Sequence, residues 1–153
     1  MLRQVVGVSD EAMAERVVGV LHTRGAPRAM VVRGDDGLDE LTTTDTTTVH
    51  EIRDGERTTW RLDARDLGLA RVAPDQLGGG DPEENARLTA ELLSGAPGPT
   101  RDIVVLNAAA GLVVAGVADD FERGVAAAQA SIDEGRAKAV LDRLVTVSAS
   151  ATA

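Results

Sequence analysis

The residues whose types and spacing suit chemistry best are Gly34-Asp35-Asp36-Gly37-Leu38-Asp39-Glu40. Glycines free the backbone for a tight bend, and four carboxylates crowd into it. Neighbouring carboxylates repel when both are ionised, so such a cluster needs a cation or open solvent. A hard divalent ion held by oxygen meets that need. Mg²⁺ in particular binds through one or two carboxylates while keeping waters or substrate phosphates. The plainer reading is a solvated acidic turn built on Asp-Gly chemistry. Directly after it comes Thr42-Thr43-Thr44-Asp45-Thr46-Thr47-Thr48. Threonine favours extended backbone, and its hydroxyl bonds to nearby amides, as suits the entry to a strand. Lining a phosphate is the alternative.

Other polar residues promise less. His22 and His50 have no Ser, Asp or second His at a suggestive spacing, and both read as surface or structural histidines. Gly78-Gly79-Gly80-Asp81 leads into a helix start, a position that attracts phosphate. Asp81, Glu83 and Glu84 would repel one there, so capping is the better explanation. Asn107 lies in an apolar helix, and a buried amide must find partners. It reads as a tie between that helix and a loop.

These residues need a frame. Gln4–Val8 is a short β-branched run that fits a buried strand. Ser9 and Asp10 can cap a helix from Glu11 to about Thr23, with Met13, Val17, Val20 and Leu21 at helical spacing. Ala29–Val32 is a second apolar strand, and the βαβ order implies parallel pairing. The acidic segment follows the C-terminal end of that strand, the edge of an open α/β sheet where ligands sit. Val49–Ile52 and Thr58–Leu62 flank Asp54-Gly55 and predict a hairpin. Beyond a glycine-rich loop, Asp81 at the N-cap, Pro82 at N1 and Glu84 at N3 start a helix to about Leu93, with Glu84 completing a carboxylate capping box. A nearly all-apolar helix over Arg101–Val117 predicts burial on every side. Helices over Asp119–Glu134 and Arg136–Val145 follow, and a frayed tail over 148–153. The fold class is α/β: a partial parallel sheet with an antiparallel hairpin, flanked by helices.

Composition narrows the function classes. The 153 residues carry a net charge of -9, with 16 Lys and Arg against 25 Asp and Glu, and no basic cluster. Nucleic-acid binding depends on clustered cations, so no nucleic-acid partner is expected. Cysteine is absent, which removes disulfides, thiolate nucleophiles and zinc-thiolate sites. No apolar run approaches the roughly 20 residues of a bilayer span, and the N-terminus lacks a signal-peptide pattern. A soluble, cytoplasmic protein with no membrane partner is the expectation. Trp60 and Phe121 are the only aromatics, so the core must come from aliphatic side chains packed closely.

From Val31 to Leu41 the sequence VVRGDDGLDEL resembles the anthranilate phosphoribosyltransferases. The likeness continues through Thr47–Glu51, through LGGGDPEENA at Leu77–Ala86, through Gly98–Asp102 and Leu106–Ala110, and through Ala130–Ala137. It covers residues 3 to 146. The resemblance implies the C-terminal half of that family's fold, the nucleoside phosphorylase/phosphoribosyltransferase type, over residues 1–147, with 148–153 a disordered tail. It implies phosphoribosyl pyrophosphate and anthranilate as substrates, in tryptophan biosynthesis, and Mg²⁺ as cofactor. In family terms the Asp-Glu of Asp-Gly-Leu-Asp-Glu holds the metal, which maps onto Asp39 and Glu40. No catalytic residue is assigned. Arg33 stands where the family commonly has His, and Asp45 where Gly is usual. The family's Gly-Thr-Gly-Gly-Asp loop, Lys-His-Gly-Asn segment and anthranilate-contacting Arg have no counterpart here. The resemblance therefore implies a chain with little or no activity alone, partnered by itself in a homo-oligomer or by a separate N-terminal half. Its alternative is a non-catalytic binding or assembly half of a split or degenerate enzyme. A nucleoside phosphorylase fits less well, because that family lacks the Asp-Gly-Leu-Asp-Glu loop.

Overall fold

A computed structural model describes residues 2–150. Its sheet has four strands: β1 (Gln4–Gly7), β2 (Arg28–Gly34), β3 (Thr46–Arg53) and β4 (Glu56–Asp63). They lie in the order β1-β2-β3-β4. The pair β1–β2 is parallel, joined through α1 (Glu11–Thr23), and β2–β3–β4 is an antiparallel meander. The βαβ unit and the Asp54-Gly55 hairpin are thus both present. Asp54 and Gly55 both take positive φ, as a two-residue hairpin turn requires. The strands β3 and β4 extend several residues beyond the expected apolar runs, because the threonines pair along the ladder from Thr46.

Alternation in β2 builds two cores. Ala29 and Val31 face α1, in a small cluster with Val8, Ala14, Val18 and Ile52. Met30 and Val32 face the other way, into the larger cluster with Leu41, Val49 and the helices of the opposite layer. A strand buried on both faces reads as a continuous apolar run, which is what Ala29–Val32 is. On α1 the buried stripe is centred on Ala14 and Val18; Met13 and Val20 are exposed. Of the four apolar residues at helical spacing, Val17 and Leu21 pack against this cluster and Met13 and Val20 do not. Small residues at the contact let the helix lie close to the sheet, and Asp10 caps it by accepting from the Met13 amide at 2.8 Å.

After β4 two short 3-10 helices (Ala64–Leu67, Pro74–Leu77) cross the region expected to be loop. Then come α2 (Pro82–Leu93), α3 (Pro99–Ala115), α4 (Phe121–Asp133) and α5 (Arg136–Ser150). Asp81 caps α2, but Glu84 turns to Arg87 at 2.6 Å instead of closing a capping box. The helix α3 packs its Val105, Leu106, Ala109, Ala110, Val113 and Val114 face onto the sheet and α4. Val104, Ala108, Gly111 and Ala115 are exposed, so it is not buried on every side; the described residues supply neighbours for one face only. Trp60 and Phe121 meet edge to face at 5.7 Å across β4 and α4. The helix α5 includes residues 148–150 of the expected tail, and 151–153 lie outside the described residues.

Candidate functional site

The acidic segment leaves β2 at Gly34 and is tied at each step. The Gly34 amide donates to the Leu38 carbonyl at 2.8 Å, Gly37 to Gly34 at 3.0 Å, and Asp35 to Thr46 at 2.8 Å. Gly37 takes φ 94, open to glycine without strain. A Cβ at Gly7 would overlap the Asp39 carbonyl oxygen, so the end of β1 can lie under the loop only because that residue is glycine. At its far end the loop is fixed to α3. The Asn107 Oδ1 accepts from the buried Leu41 amide at 3.0 Å, and its Nδ2 donates to the Leu41 carbonyl at 2.8 Å and the Ile103 carbonyl at 3.0 Å. Asn107 is the helix-to-loop tie expected of it.

Within this frame the four carboxylates divide into two pairs. Asp35 accepts from the Thr46 hydroxyl and from Thr48 at 3.1 Å, and it pairs with Arg33 at 3.3 Å and Arg61 at 3.1 Å. Asp36 accepts from Thr42 at 2.6 Å, from the Thr44 hydroxyl, and from the Leu38 amide at 3.0 Å. Burial pushes the Asp36 carboxyl up, yet the donors from Thr42, Thr44 and Leu38 outweigh it and hold it below the ordinary carboxylate value. The threonine run therefore serves carboxylates more than backbone amides. Asp39 and Glu40 are different: both are exposed, and neither side chain has a hydrogen bond or ion pair among the described residues. Glu40 lines a cleft of about 570 Å³ with Asp36, Leu38, Thr44, Leu77 and Thr100.

The consequence is chemical. Hydrogen bonds to a charged group stabilise by roughly 1.5–3 kcal/mol each. Asp35 and Asp36 already hold such donors, so a metal gains little there, whereas the two solvent-facing acids keep their oxygens free for a hard cation. The two unusual residues of the segment are absorbed structurally. Arg33 spans from Asp35 to Glu11, at 3.4 Å, and Asp45 accepts from Arg71 at 2.7 Å.

One cluster escaped the sequence reading. His50 is 2% exposed on β3, facing α1, with its Nε2 3.2 Å from Glu11 and its Nδ1 3.5 Å from Glu15. The only trace in the sequence is Glu11 and Glu15 at i,i+4; nothing there sets them against a strand residue 35 positions on. His22 contacts the Gly55 carbonyl at 2.9 Å, a structural role as expected.

The fold that carries this acidic loop belongs to a recognised class. The model of the glycosyl transferase family, a/b domain, matches residues 1–138, and the chain belongs to that family. Within it the chain is similar to anthranilate phosphoribosyltransferases. It is 50% identical over 145 residues to the enzyme of Methylobacterium nodulans, covering 95% of this chain and 43% of that protein. Among solved structures, it matches the anthranilate phosphoribosyltransferase of Thermus thermophilus with a TM-score of 0.83 at 35% identity, over 92% of this chain and 41% of that one. It matches the Saccharomyces cerevisiae enzyme in complex with PRPP and Mg with a TM-score of 0.82 at 25% identity, again over 92% and 41%. The chain spans less than half the length of these relatives. No helix among the described residues is long and apolar enough to cross a membrane.

Proposed function

We propose that this chain supplies the metal-binding part of an anthranilate phosphoribosyltransferase site, with Asp39 and Glu40 as ligands of the Mg²⁺ that accompanies phosphoribosyl pyrophosphate. The observation that carries the reading is the division of the acidic loop. Two of its carboxylates are occupied, Asp35 by threonine hydroxyls and arginines and Asp36 by threonine hydroxyls and a backbone amide, and the two the resemblance singles out are exposed and have no partner among the described residues. The donor set suits the ion, because Mg²⁺ takes oxygen ligands and one or two carboxylates per site. When bound, the cation would offset the negative charge that develops on departing pyrophosphate.

The chain's own contribution is to orient those two acids. The Asn107 clamp holds Leu41, Gly7 admits the Asp39 backbone against β1, and the Thr–Asp bonds stiffen the turn between them. No residue here is assigned to proton transfer or to holding anthranilate. A transfer that depends on aligning two substrates loses orders of magnitude when most positioning contacts are absent. The 153-residue polypeptide alone is therefore expected to show little or no turnover.

The test is a chimera in which this chain replaces the matching segment of a full-length relative. Anthranilate fluorescence should fall on adding phosphoribosyl pyrophosphate and Mg²⁺ to the chimera, and not with the chain alone. Asp39→Asn with Glu40→Gln should slow the chimera by about 10²-fold or more, the scale of losing a stabilising group at developing charge. A folded chimera without turnover, or one indifferent to both substitutions, refutes the reading.

A further inference from the structure

We propose that Glu11, Glu15 and His50 form a divalent transition-metal site, best suited to Zn²⁺, that clips α1 to β3. One ligand atom from each residue lies within 4.8 Å of the other two. The geometry of the carboxylates is selective. Glu11 turns its Oε1 toward the imidazole Nε2 at 3.2 Å, and Glu15 turns its Oε1 toward the Nδ1 edge of the same ring at 3.5 Å. Each gives its Oε2 to an arginine, Arg33 at 3.4 Å and Arg57 at 2.9 Å. The arginines thus orient the acids while leaving one oxygen of each directed at the histidine.

The independent sign is on His50 itself. Its Nε2 is buried and has no hydrogen-bond partner among the described residues, although a carboxylate oxygen lies 3.2 Å away. A buried nitrogen facing an anion without a hydrogen bond is a place that a cation would bridge. On the other side of the ring, Nδ1 lies 3.1 Å from the Thr59 hydroxyl. In the tautomer whose Nδ1–H donates to Thr59, the Nε2 lone pair is presented to a metal, the usual support for a ligating histidine. One imidazole and two carboxylates suit Zn²⁺, whose bonds of about 2.0–2.2 Å require ligand atoms roughly 3.4 Å apart in a tetrahedral site. Glu15, which faces Nδ1, must swing its exposed side chain toward Nε2 to complete the set. Three protein ligands leave a fourth position for water. His50 packs on the α1 face of the sheet, whereas Leu41 at the end of the acidic loop packs on the opposite face, so the two metals are tested separately.

Calorimetric titration of the chelator-treated chain with Zn²⁺ decides the matter. The expected result is binding of one equivalent with a rise in melting temperature. Glu11→Gln or Glu15→Gln, both at exposed positions and with folding checked by circular dichroism, should weaken it at least about tenfold, and Thr59→Val by about 10–100-fold. His50→Gln should abolish it, and Asp39→Asn with Glu40→Gln should leave it unchanged. Absence of stoichiometric binding overturns the assignment, as does binding that survives both glutamate substitutions or disappears with Asp39 and Glu40. A cluster that merely holds a protonated His50 would respond to pH and not to Zn²⁺, which also overturns it.

Discussion

Asp35 and Asp36 show how a carboxylate can be committed to structure. Threonine hydroxyls converge on both, and the net effect on Asp36 is a pKa below the ordinary value. A carboxylate with a depressed folded-state pKa adds stability that is present above its unfolded value, near pH 4, and is lost as pH falls through the folded value. Asp63 behaves alike, held at about 2 chiefly by the Arg65 guanidinium. Acid titration of the chain by circular dichroism should show stability declining from about pH 4 toward 2. Asp36→Asn and Asp63→Asn should each flatten that decline, and an unchanged profile in both would contradict the assignment. At this scale the sequence showed that four acids were crowded and which two the family resemblance singles out. It did not show that the following threonines would quench the other two, because that depends on how the chain returns at Thr42–Thr48. The His50 cluster was unreadable for the same reason: α1 and β3 meet only in the folded sheet.

Elements were more legible than contacts. Strand β2 was plain as a β-branched run, the Asp54-Gly55 turn announced its hairpin, and Asp10 and Asp81 marked helix starts that the structure keeps. Hydrophobicity alone is a poor guide to burial here. The apolar helix α3 uses one face, and Met13 on α1 is exposed although it fits the helical spacing. Asn107 is legible because an amide in an apolar helix has few options. Its removal is the sharpest test of the scaffold. Asn107→Leu leaves the Leu41 amide and carbonyl without partners in a buried position, at a cost of about 1–3 kcal/mol per unsatisfied group. Urea denaturation should show a loss of that order. A variant as stable as the parent would mean that the clamp does not hold the loop to α3.

The whole molecule is a layered piece with an open side. Val140, Leu144, Val145 and Val147 on α5, and Val117 after α3, are each more than half exposed. Beside them a groove of about 460 Å³ runs between α3, α4 and α5 past Leu112 and Ile132. Exposed apolar surface on this scale drives association. Sedimentation of the isolated chain should show concentration-dependent self-association, relieved by Leu144→Lys; a monodisperse monomer over the whole range would contradict that expectation. The chain spans less than half the length of its relatives. What the chain does possess can be measured directly. Calorimetry with pyrophosphate and Mg²⁺ should register cation-dependent binding that vanishes when Asp39→Asn and Glu40→Gln are combined and persists in Glu15→Gln. Binding untouched by the paired substitution, or equal with and without Mg²⁺, would show that these two acids do not carry the ion.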